Sequence, residues 1–251
     1  MRKSSILLIF AAAFALSCSK EVPAVSDFSG SIVAIGNETK TVLGTGNVVK
    51  WSSGDAVCIN GANFTANPGT DETTATFTRV SASDPTKDGG KYKAYFPGTI
   101  YNGGTPALPA SQTYTDGRIG NAPMYAESTN CHLDFHNICA LIALTLKGSD
   151  TVSSIEVSNT DNALCGSISI TDNVASVTDA MSASNCKVTL DCGDGVALDS
   201  GGKTFYIAIP EGQHKLTFTI TKSDSSTWVK SVGFLVNYYA NTLYSYTLTV
   251  E

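Results

Sequence analysis

Cys131, His132, His136 and Cys139 stand close together in the sequence and are residue types that ligate zinc. At about 3.3 Å per residue on an extended chain, however, Cys131 and Cys139 would lie roughly 26 Å apart, too far to share one tetrahedral ion. The remaining histidine, His214, falls in a turn, Glu211-Gly212-Gln213-His214, and no Gly-x-Ser-x-Gly elbow or oriented Cys-His pair is present. Asp55, Asp84, Asp88, Asp116, Asp172 and Asp194 sit in turn contexts, where a carboxylate caps backbone amides instead of working on a substrate. These residues point away from an enzyme, and they name no catalytic residue, metal or cofactor.

The cysteines carry a different chemistry. Arg2 and Lys3 precede an apolar run from Ile6 to Leu16, too short to cross a bilayer and suited to the core of a signal peptide. The run ends in Ala15-Leu16-Ser17-Cys18, which resembles a lipobox with Ala15 where leucine is usual. A leader of residues 1–17 and a lipidated Cys18 are therefore expected, the alternative being ordinary secretory cleavage with Cys18 incidental. Acyl chains on Cys18 would hold the protein to a membrane, each buried methylene contributing about 0.8 kcal/mol. Cys58, Cys131, Cys139, Cys165, Cys186 and Cys192 remain, an even number that invites disulfides in an exported chain. Cys58, Cys139 and Cys165 lie in or beside apolar strand positions, where a thiol behaves as a small core residue. Cys186 and Cys192 are the expected pair if a turn separates them.

The elements behind these residues read as strands. The 251-residue chain has a net charge of −6, a pI near 5.0 and only 15% charged residues, so it offers no basic field for nucleic acid. Ser, Thr, Gly and Asn fill the places that Lys and Glu take on helical surfaces. Short β-prone pieces recur: Gly30 to Ile35, Thr41 to Leu43, Val48 to Trp51, Ala56 to Ile59, Ala75 to Val80 and Lys91 to Pro97. Gly98 to Thr129, rich in Gly and Pro, reads as a connection between layers or domains. Beyond it, Leu133 to Leu146 should run through a core, with a β-bulge near His136-Asn137 to shift its alternation. Period-two runs follow, among them Phe205, Ile207 and Ile209; Leu216, Phe218 and Ile220; and Tyr244, Tyr246, Leu248 and Val250. Together they predict an all-β chain built as a sandwich or barrel.

Leu108 to Tyr114, Gly120 to Ala126, Phe135 to Ile142, Ile209-Pro210-Glu211-Gly212 and Asn241-Thr242-Leu243-Tyr244, in this order after a lipobox, resemble the fimbrillin-like lipoproteins (type V pilins, major and minor fimbrial subunits) of Bacteroidetes-type bacteria. The resemblance implies two transthyretin-like Greek-key β-sandwich domains in tandem. It divides the chain into a leader (1–17), a lipidated tether (18–30), an N-terminal domain (31–130) and a C-terminal domain (131–251). It further implies a pilus subunit, tip or anchor on the outer membrane surface that serves adhesion and biofilm formation. Its partners would be other fimbrial subunits, the outer membrane and a host or bacterial surface receptor. Assembly would proceed by removal of the first strand and donation of a strand from another subunit. The donor here would be Thr242, Leu243, Tyr244, Tyr246, Leu248 and Val250, unless that run is the last core strand of its own chain. Members cut by an arginine-specific protease need an early Arg, yet none lies between Cys18 and Arg79. Lys40 or Lys50 would have to serve, or the chain is not cut, as suits an anchor or terminal subunit. The alternative is a surface glycan-binding lipoprotein using Tyr101, Tyr114, Tyr125, Trp228, Tyr238 and Tyr239 as a stacking platform.

Overall fold

The computed structural model describes residues 28–35, 49–70, 72–102, 104–117, 119 and 122–250. The leader and the Thr41–Leu43 piece lie outside the described residues. The described chain is all-β. Its first strands are β1 (Phe28–Ile32), β2 (Ala56–Ile59), β3 (Ala62–Pro68), β4 (Thr74–Arg79) and β5 (Tyr92–Phe96). The middle holds β6 (Tyr101–Asn102), β7 (Thr105–Leu108), β8 (Ser111–Thr113), β9 (Met124–Ser128) and β10 (His132–Asn137). Then come β11 (Ala140–Lys147), β12 (Thr151–Asn159), β13 (Gly166–Thr171), β14 (Val174–Val177), β15 (Lys187–Ala197) and β16 (Lys203–Ile209). The last are β17 (Gly212–His214), β18 (Leu216–Lys222), β19 (Thr227–Ser231), β20 (Val236–Tyr238) and β21 (Leu243–Thr249).

Seven strands close a barrel in the order β1-β10-β9-β5-β2-β3-β4. The β2–β3 hairpin turns on Asn60-Gly61, both at positive φ (44° and 84°), the geometry that Asn-Gly favours between twisted strands. Aromatic rings fill the interior: buried Trp51 meets Phe77, Phe96 and Phe135 edge-on at 5.4, 5.3 and 5.1 Å. A second buried cluster lies between the sheets β16-β11-β21 and β19-β18-β12-β15-β8, where Leu144, Ile155, Phe205, Ile207, Phe218 and Ile220 point inward. This is the sandwich-like part of the molecule.

The run from Leu133 to Leu146 is two strands and not one bulged strand. β10 pairs in the barrel, the chain breaks step at Ile138-Cys139, and β11 begins the second core. Every residue from Asn137 to Leu144 is buried, because this stretch passes from one core directly into the next. The stretch Gly98 to Thr129 is likewise more than a connection. β7 pairs with β13, and β8 lies parallel to β15, before β9 returns to the barrel. The chain therefore crosses between the two clusters several times, and β1 takes in residues 28–30 of the expected tether. Cys186 and Cys192 do not pair, since β15 runs extended from Lys187 and no turn lies between them. Six extended steps separate them by roughly 20 Å, well beyond disulfide reach.

Gln112 on β8 joins the two sheets of the sandwich. Its carboxamide accepts from the Ala208 N–H at 2.9 Å and donates to the Ala208 carbonyl at 2.7 Å, reproducing a peptide unit on the outer edge of β16. A strand edge is thereby satisfied by a side chain. Gln112→Ala, which leaves both Ala208 groups without that partner, should lower stability by about 1–3 kcal/mol in urea unfolding. An unchanged midpoint would show that the edge does not depend on it.

Candidate functional site

The first strand is held on both sides by segments remote in sequence. β1 runs parallel to β10, with Gly30 opposite Leu133 and Ile32 opposite Phe135, and antiparallel to β4, with Phe28 opposite Phe77. Ser29 N donates to the Cys131 carbonyl, Val33 N to that of Phe135 and Ile32 N to that of Thr73, at 2.9–3.0 Å. Its residues alternate as the pleat demands: Phe28 and Gly30 face in, while Ser29 and Ser31 face out toward His132 and Asp134. Phe28 is buried edge-on between Phe64 and Tyr92, at 5.3 and 4.8 Å. Gly30 sits where a Cβ would lie 2.8 Å from the Leu133 carbonyl and 2.9 Å from the Phe77 ring. Only glycine fits there. Without β1 the barrel would be a six-stranded sheet, with β4 and β10 as open edges and a groove floored by Phe64, Phe77, Tyr92, Leu133 and Phe135.

The last strand is held differently. β21 pairs in parallel register with β11, Leu243 opposite Leu141 through Thr249 opposite Lys147, and ends its sheet. Leu243 and Val250 are buried, Tyr244, Tyr246 and Leu248 are half-buried against the sandwich, and Ser245, Thr247 and Thr249 are exposed. The β17–β20 pair supports it. Buried Tyr238 on β20 lies 4.7 Å from the Tyr244 ring, and its hydroxyl is 2.6 Å from that of Tyr246. Burial and the Tyr246 hydroxyl push the Tyr238 pKa up. Tyr244 Oη donates to the Asn237 carbonyl at 3.0 Å and accepts from Tyr239 N at 2.8 Å. Beneath this layer His214 is buried with both ring nitrogens in use: Nε2 donates to the Pro210 carbonyl at 3.0 Å, and Nδ1 accepts from Asn159 Nδ2 at 3.1 Å. Burial lowers its pKa, opposed in part by the Pro210 bond.

The two strands meet at one point. Asn241, just before β21, donates from Nδ2 to the Ala34 carbonyl just after β1, at 3.1 Å, while its own N–H holds the Cys139 carbonyl at 2.9 Å. Ile35 packs against both buried clusters. This contact had a sequence signal, the Asn-Thr-Leu-Tyr piece, but nothing there named its partner.

Cys18 and Lys40 lie outside the described residues. Lys50 is half-exposed, paired with Glu72 at 2.9 Å, and immediately precedes buried Trp51. Thr242 is buried, with its hydroxyl donating to the Ala240 carbonyl at 3.3 Å. The aromatics considered as a glycan platform differ in exposure, with Tyr239 open to solvent and Trp228 half-buried. Tyr101 stacks on Tyr95, Tyr114 packs on Phe205, and Tyr125 and Tyr238 are buried. Cys139 is fully buried, and burial alone raises its pKa.

Gly30→Val should clash with backbone and expel β1. Stability should fall by at least about 1–3 kcal/mol, and the Ser29–Val33 amides should lose hydrogen-exchange protection. Acid should act through His214. Its folded pKa lies below the usual 6.5, so its contribution is present above that value and is lost as pH falls from there through the lowered pKa. Urea unfolding at pH 7.5 and pH 5 should show this loss in the parent chain, and a smaller pH effect in His214→Gln.

No family model and no curated protein matches the sequence. Solved structures do match. A candidate cell adhesion protein from Bacteroides ovatus aligns over 89% of this chain and 91% of its own, at 16% identity and a TM-score of 0.51. A candidate cell adhesion protein from Bacteroides fragilis aligns over 89% and 93%, at 13% identity and a TM-score of 0.46. The tip fimbrial protein Mfa3 from Porphyromonas gingivalis, with a C-terminal truncation, aligns over 89% and 94%, at 11% identity and a TM-score of 0.32. The chain thus shares, over most of its length, the fold of the Bacteroides ovatus protein.

Proposed function

We propose that this chain is a fimbrial subunit of the cell surface that acts in adhesion and biofilm formation by lending and accepting strand edges, with no enzymatic step. The observation that carries the reading is β1: a short strand, far in sequence from both neighbours, that alone closes the barrel over an aromatic groove. A strand held by backbone pairing and one large side chain can be replaced by another of similar pattern. β21 has the matching character, an edge strand with Tyr244, Tyr246 and Leu248 on one face. The fold shared with a candidate cell adhesion protein supports the reading.

Two tandem transthyretin-like domains fit the two buried clusters, and a lipid on Cys18 would fix the chain to the outer membrane. With β1 in place the groove is full, which suits a terminal subunit: an anchor or tip that donates β21 but accepts nothing. Cleavage at Lys40 or Lys50 would detach β1 and convert it into an acceptor. Burial of Tyr125 and Tyr238 takes two of the six aromatics away from the glycan-binding alternative.

The intact chain should remain monomeric. Chain cut after Lys50 and stripped of the fragment carrying β1 should assemble into rods visible by electron microscopy. Leu248→Asp in the cut chain should abolish the rods. Monomeric cut chain, or rods indifferent to Leu248→Asp, would reject the reading.

A further inference from the structure

The β13–β14 hairpin is where the two halves of the molecule brace each other. β13 pairs with β7, Ala175 N donates to the Ile138 carbonyl at 3.0 Å, and the Asp172-Asn173 turn lines a cleft with Tyr125, Glu127 and His136 of the barrel strands. The hairpin is bounded by two cysteines, Cys165 immediately before β13 and Cys186 immediately before β15.

These two residues lie side by side. Leu164 N and Cys165 N both donate to the Asn185 carbonyl, at 2.7 and 3.2 Å. The Cys165 sulfur is 3.6 Å from the carbonyl oxygen of Asn185 and 3.4 Å from that of Lys187, the two residues flanking Cys186. The Cys186 carbonyl turns the opposite way, accepting from Asn159 N at 2.9 Å. Cys186 stands in the bend that leads into β15 and is partly buried. Chain segments joined by such bonds run about 5 Å apart, within the Cα separation a disulfide needs. The Cys186 sulfur rests 3.7 Å from the Ala183 carbonyl, and the disulfide requires it to leave that contact for a χ1 rotamer facing Cys165.

We propose that Cys165 and Cys186 form a disulfide once the chain has left the reducing cytoplasm, closing the β13–β14 hairpin and its following loop into a covalent ring. The oxidising surroundings rest on the surface location proposed above, whereas the pairing rests on geometry alone. The oxidant is a disulfide-bearing thiol oxidoreductase or a small disulfide. Cys186, the more exposed of the two, attacks it as thiolate, forming a mixed disulfide and expelling one thiolate. Cys165 then loses its proton to water and attacks the Cys186 sulfur, expelling the second thiolate. Two protein thiols are oxidised and one disulfide is reduced to two thiols. Burial first, then Cys186 and Asp179, raise the Cys165 pKa, in keeping with Cys186 as the first nucleophile.

Folded full-length chain should be incubated with oxidised glutathione, alkylated and cleaved before aspartate. Because Asp172 and Asp179 lie between the cysteines and Asp161 and Asp191 flank them, the products should include peptide 161–171 joined to peptide 179–190, released by dithiothreitol. Cys165→Ser should abolish that product and leave Cys186 joined to glutathione. Recovery of both peptides alkylated, or of Cys186 joined to glutathione in the parent chain, would overturn the pairing. The same digest of chain shaved from cells reads the compartment separately: cross-linking in vitro but free thiols in the shaved chain would reject the oxidising location and leave the pairing standing.

Discussion

The seam between β1 and its neighbours governs the rest of the molecule. On one side β1 runs antiparallel to β4, and on the other it makes a parallel join with β10, which lies about a hundred residues further along the chain. No tight turn could create that parallel join, since parallel strands require a long crossover. Closure of the barrel therefore waits on a distant segment, and the aromatic interior around Trp51 stays sealed only while Phe28 occupies its place between Phe64 and Tyr92. Without that closure β4 and β10 would present unpaired amides and carbonyls along an apolar trough, the arrangement most prone to recruit another strand.

Edges elsewhere are treated unequally. β16 has its outer edge met by the Gln112 carboxamide, a side chain standing in for a strand. β21 ends the same sheet on the other side and shows Ser245, Thr247 and Thr249 to solvent. Among the described residues one edge of this sheet is thus met by a side chain, and the other is formed by β21, the candidate donor strand of the proposed assembly. Strand β1 and, among the described residues, the edge strand β21 are then complementary features of one chain, the first closing a groove and the second offering the kind of strand that could fill one.

Much of this was legible in the residues, but only as faces. Phe205, Ile207 and Ile209, or Leu216, Phe218 and Ile220, are read correctly as inward because a period of two marks which side of a strand is buried. The same pattern is silent about partners. The shift of step near His136-Asn137 looks identical whether a strand bulges within one core or leaves one core for another, and here it is the second. β8 has three residues, too few to show a period, so its pairing with β15 and the role of Gln112 could not be seen in advance. Tyr244, Tyr246 and Leu248 are limited in the same way: their alternation says that one face seeks burial, not whose core supplies it.

The Asn241 to Ala34 bond connects the end of β1 to the head of β21. Asn241 Oδ1 is buried with no partner among the described residues, and the Nδ2 bond to Ala34 is the hydrogen bond this side chain makes there. Removing β1 takes away that carbonyl and, with it, the packing of Ile35 across both cores. The bond lies at the surface, so losing it costs about 1 kcal/mol at most as water takes the place of the carbonyl, and the backbone free to rearrange is the segment that leads into β21. On the proposed scheme of assembly, the event that opens the groove also loosens the chain at the head of the candidate donor strand. Acceptor and donor functions would then be linked through one side chain and not set independently at the two ends of the molecule.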